Sequence, residues 1–88
     1  MPIFMVMTSI DPKNVEIAIN KRIPSEDVLQ IDNRSWLISS PKNIVTPKEL
    51  YDLLSSDGEL NRTIITLMTA YWGLHNSEIW DWLSVKKG

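Results

Sequence analysis

Ten consecutive residues late in the chain, Thr63-Ile64-Ile65-Thr66-Leu67-Met68-Thr69-Ala70-Tyr71-Trp72, contain neither glycine nor proline and are rich in β-branched and aromatic types. That composition predicts a long strand. Alternation puts Ile65, Leu67 and Tyr71 on one side and Ile64, Met68, Ala70 and Trp72 on the other. A strand that is apolar on both sides is normally covered on both. The expectation is therefore a sheet whose second face also needs a cover.

The rest of the chain supplies partners for that strand. Ile3 to Thr8 reads as a first strand, also apolar on both faces, and so central in the sheet. Asp11 before Pro12 is a helix start, the carboxylate capping free N–H groups and proline taking the first helical position. The helix runs to about Arg22, with Val15, Ala18, Ile19 and Ile23 as its apolar stripe and Ile17 off it. Pro24 breaks it. Asp27 to Ile31 and Arg34 to Ser39 read as two strands joined by a tight turn at Asp32-Asn33, with Trp36 and Ile38 on one face.

Val45-Thr46-Pro47-Lys48-Glu49-Leu50 is the clearest local signal. Thr46 caps, Glu49 reaches back to the N–H of the cap, and Val45 with Leu50 forms a hydrophobic staple. This second helix carries Leu50, Leu53 and Leu54 on its core side and ends near Gly58. After the long strand, residues 73–76 turn the chain into a last helix that runs to about Val85, with Ile79, Trp82 and Leu83 on one face and Trp80 elsewhere. Lys86-Lys87-Gly88 reads as a frayed cationic end.

The order β-α-β-β-α-β plus a C-terminal helix predicts one α+β domain over residues 1–88. Its plan is ferredoxin-like, an antiparallel four-stranded sheet with both long helices on one face. The other face is left for the C-terminal helix, a second subunit, or both.

Composition narrows the function. At 88 residues the core is thin. No cysteine is present, which removes disulfides, thiolate metal sites and thiol nucleophiles and fits a reducing cytoplasm. No stretch approaches a membrane span. The net charge is −2, with the nine cations scattered among eleven acids. Nucleic-acid affinity rests on clustered Lys and Arg, so the balance weighs against that partner.

Single residues offer sharper readings, each with a plainer one beside it. Asp11 is the one candidate Mg²⁺ ligand, and its plainer role is the helix cap. His75, the only histidine, has no identifiable nucleophile or orienting acid near it in sequence. Asn61-Arg62-Thr63 matches a glycosylation acceptor by chance, and Glu26-Asp27 and Asp57-Gly58-Glu59 read as solvated loop acids. Tyr71, Trp72, Trp80 and Trp82 bring three of the four tryptophans within twelve residues. Core packing under the last helix is the plain reading, and an interface the sharper one, with Tyr71, Trp72 and Trp80 as its residues.

The closing Tyr71-Trp72-Gly73 and Ile79-Trp80-Asp81-Trp82-Leu83, with Ser35-Trp36-Leu37-Ile38 upstream, resembles the endings of small bacterial and phage proteins. Those carry Tyr-Tyr-Gly or Tyr-Trp-Gly and then Ile/Leu-Trp-Asp/Glu-Trp, a group that brings no activity with it. At the level of fold the chain also resembles the small dimeric proteins of CRISPR adaptation, in which a Tyr-Asp pair closing the first strand supplies a candidate metal-binding carboxylate. Here that position reads Thr8-Ser9-Ile10-Asp11, so Asp11 falls later and precedes Pro12. The favoured reading is a non-enzymatic, homodimeric protein-interaction module without a cofactor, in the setting of a phage or mobile-element accessory protein that binds a host protein. The alternative is a metal-dependent nuclease using Asp11.

Overall fold

A computed structural model describes residues 2–10, 12–41, 43–56, 60, 62–69, 73 and 77–87. In it β1 (Ile3–Thr8), β2 (Val28–Asp32), β3 (Ser35–Ser39) and β4 (Thr63–Leu67) form one antiparallel sheet in the order β2-β3-β1-β4. Helices α1 (Pro12–Arg22), α2 (Pro47–Leu54) and α3 (Ser77–Lys87) complete an α+β domain.

Two apolar clusters lie on opposite faces of this sheet. On the first face Phe4 and Val6 of β1 and Trp36 and Ile38 of β3 pack with Val15, Ile19 and Ile23 from α1 and its end, and with Leu50 and Leu54 of α2. Strand alternation explains the split. Phe4, Val6 and Thr8 turn to α1 and α2, while Ile3, Met5 and Met7 turn to the other face. On that second face Ile3 and Leu37 are buried with Ile79 and Leu83 of α3, and Leu29, Ile31, Met68, Trp80 and Trp82 pack around them. The chain's own last helix is therefore part of the missing cover.

Local chemistry fixes the joints. Glu49 N–H donates to Thr46 Oγ1 at 3.2 Å, and Thr46 N–H donates back to Glu49 Oε1 at 3.0 Å. With Pro47 next in line, this is the expected capping box. The expected staple does not form: Val45 is 57% exposed, and Ile44 packs on the first cluster instead. At the β2–β3 turn, Asp32 Oδ1 accepts from Arg34 N–H at 2.8 Å and from Ser35 Oγ at 2.6 Å. The side chain supplies the turn bonds that let this hairpin close without glycine.

Three boundaries differ from expectation. β2 begins at Val28, because Ser25–Asp27 forms a single 3₁₀ turn in which Asp27 N–H donates to Pro24 O at 2.9 Å. β4 has five residues rather than ten. Among the described strands its neighbour is β1, whose pairing runs out where Met68 N–H donates to Ile3 O at 2.9 Å. Ala70, Tyr71 and Trp72 lie outside the described residues. Finally, Lys86 is not frayed: its Nζ sits 3.0 Å from Asp27 Oδ1 and ties α3 to the entrance of β2.

Candidate functional site

The second sheet face is half closed. α3 lies over the β2–β3 side and over the start of β1, so exposure climbs along β1, from 4% at Ile3 to 49% at Met7. Across the β1–β4 ladder Met7 stands opposite Ile64, which is 66% exposed. Thr66, on the same face of β4, is exposed as well. Ile10, just past the end of β1, is also exposed. The chain's own last helix therefore supplies only part of the cover expected for the second face. β4 is an edge strand of the described sheet, and Ile64 lies on the α3 face of it at 66% exposure.

The two sheet edges differ in chemistry. Along β2 the pairing is irregular between Gln30 and Asp32, Asp32 carries a charge, and α3 packs alongside with the Lys86–Asp27 pair. Bulges, charges and covering elements are the usual protections of an edge. β4 has none of the first two within its span: Thr-Ile-Ile-Thr-Leu is uncharged and pairs with β1 in unbroken register. Arg62 stands just before it with a left-handed φ of 50°.

Of the interface residues expected from sequence, Trp80 is half-buried and packs on the second cluster together with Trp82. Tyr71 and Trp72 lie outside the described residues, as do Asp11, the candidate metal ligand, and His75. Sequence reasoning did not single out Met7 and Ile64. The available signal was the strand order of the expected plan, which puts the last strand at an edge.

Electrostatics adds little chemistry to this face. Glu49 titrates below its ordinary value because the N–H of Val45 and the hydroxyl of Thr46 hydrogen-bond its carboxylate. Lys48 is raised by its hydrogen bond to Asp52, with Nζ and Oδ2 2.8 Å apart. Both belong to the α2 surface, away from the open half of the sheet. A shallow groove of about 480 Å³ runs along α3, lined by Ser77, Glu78, Asp81, Trp82, Val85 and Lys86. Its polar groups come from one helix and do not converge. Among the described residues no three or more His, Cys, Asp or Glu side chains gather as a metal would require, and no helix is long and apolar enough to cross a membrane. Comparison with protein-family models, curated proteins and solved structures returns no match.

Proposed function

We propose that the chain is a non-enzymatic protein-interaction module that acts as a homodimer. The observation that carries this reading is the open half of the second sheet face, where Met7 and Ile64 meet across neighbouring strands at 49% and 66% exposure. Apolar side chains clustered beside an unprotected strand edge are a hallmark of association surfaces. The uncovered area is smaller than the sequence suggests, since α3 shelters Ile3, Leu37 and their neighbours. Trp80, together with Tyr71 and Trp72, is the aromatic part of the contact in this reading.

We also read the architecture as ferredoxin-like. Its supports are the central position of β1 and β3, the antiparallel pairing throughout, and the placement of α1 and α2 on one face. From the resemblance of the closing aromatic segment to small bacterial and phage proteins, we take the setting to be an accessory protein that binds a host protein.

The test is the solution mass of the full chain by light scattering over a wide concentration range. The reading expects dimer mass at the high end. Monomer mass throughout contradicts it.

A further inference from the structure

We propose that the second copy docks by strand pairing along the open edge of β4, about a two-fold axis through Ile65. This rests on the homodimer reading and adds the geometry of the contact. The backbone supplies the first argument. Arg62 O accepts from Ser9 N–H at 3.0 Å, and Met68 N–H donates to Ile3 O at 2.9 Å. In an antiparallel ladder these roles alternate along the strand. The even-numbered residues of β4 thus face β1, and Ile65 and Leu67 turn their N–H and C=O groups outward.

The second argument concerns which partner fits. Among the described residues β4 is the one edge without such protection, because β2 is guarded by its irregular pairing, by Asp32 and by α3. A single self-complementary edge per chain closes into a two-fold dimer and does not propagate into a fibre. With Ile65 on the axis, Ile64 lies opposite Thr66 of the second copy. The two Met7–Ile64 corners then fall on the same face of a continuous eight-stranded sheet.

The third argument is size. Five residues of strand span about 17 Å, and a strip of that length with two flanking apolar side chains is below the roughly 1,200 Å² at which stable interfaces begin. The occupant is accordingly a reversible, concentration-dependent second copy.

The chain has no cysteine of its own, so paired cysteines report this register directly. Residues 64 and 66 of opposing copies form a non-hydrogen-bonded pair with Cα atoms about 4.5 Å apart, within reach of a disulfide. Residue 64 is a diagonal neighbour of its own counterpart, about 7–8 Å away, which is too far. Ile64→Cys and Thr66→Cys chains are to be mixed under mild oxidation beside each chain alone and beside the wild-type mass measurement. The expected result is a crosslinked product in the mixture alone. That product is lost when Leu67→Pro is added to both chains, since proline removes an outward N–H that faces away from β1, the strand β4 pairs with. A melting curve of each variant confirms that it is folded. If the wild type is dimeric but the mixture gives no more crosslink than the separate chains, the edge-pairing geometry is overturned and the homodimer stands. If the wild type is monomeric at every concentration, both fall.

Discussion

Met7 and Ile64 face each other across the β1–β4 ladder on the sheet face that α3 buries at Ile3 and leaves open here. One strand thus samples both environments within four residues. Along β1, Ile3 is 4% exposed and Met7 49%.

This gradient predicts unequal costs for the same kind of truncation. Ile3→Ala removes a side chain packed under α3 and should destabilise the monomer by about 2–5 kcal/mol. Met7→Ala should stay within about 0.5 kcal/mol, as exposed positions do. Urea unfolding at low protein concentration, where association does not contribute, measures both. Equal costs would mean that α3 does not cover one end of β1 in preference to the other.

The capping box predicts an acid-sensitive helix start. The folded chain holds Glu49 below its ordinary pKa of 4.5, chiefly through the N–H of Val45 and then through Thr46. Below that value the unfolded chain binds the proton that the folded chain refuses, so this contribution is full above pH 4.5 and fades as pH falls through the folded pKa. The stability difference between wild type and Glu49→Gln should therefore narrow on acidification. Thr46→Ala, which removes the other half of the box, should cost about 1 kcal/mol near neutral pH. A wild-type-to-Gln difference that is flat through the acid range would contradict the assignment.

Lys86 and Asp27, 3.0 Å apart with 22% and 29% of their side chains exposed, predict a measurable coupling between α3 and the entrance to β2. A double-mutant cycle with Lys86→Met and Asp27→Asn should return a coupling toward the upper end of about 0.2–1 kcal/mol. Partial burial should leave much of it in place at raised salt. A coupling of zero would mean that the pair only accompanies α3 and does not hold it.

Much of this architecture is legible in the residues. Thr46, Pro47 and Glu49 state their helix start locally, and Val15, Ile19 and Ile23 declare their face by spacing alone. What is not legible depends on length and neighbours. The apolar run from Thr63 to Trp72 suggests a long strand, yet β4 ends at Leu67, where β1 runs out of partners. Val45 has the position of a staple residue, but the loop turns Ile44 inward in its place. Trp80 falls off the Ile79–Leu83 stripe and still packs on the second cluster, because an indole is long enough to reach around a helix flank. Of the candidate site, the surplus of apolar strand surface is written in the sequence. Its location at Met7 and Ile64 depends on how far α3 reaches, which no local pattern encodes.

The most direct test is backbone amide exchange at Ile65 and Leu67 in the full-length chain, compared between dilute and concentrated solution. Thr66, whose N–H faces β1, serves as the internal reference. Pairing along the β4 edge predicts that Ile65 and Leu67 exchange quickly when dilute and slow markedly as concentration rises, while Thr66 is protected throughout. Unchanged exchange at Ile65 and Leu67 over that range would contradict the account.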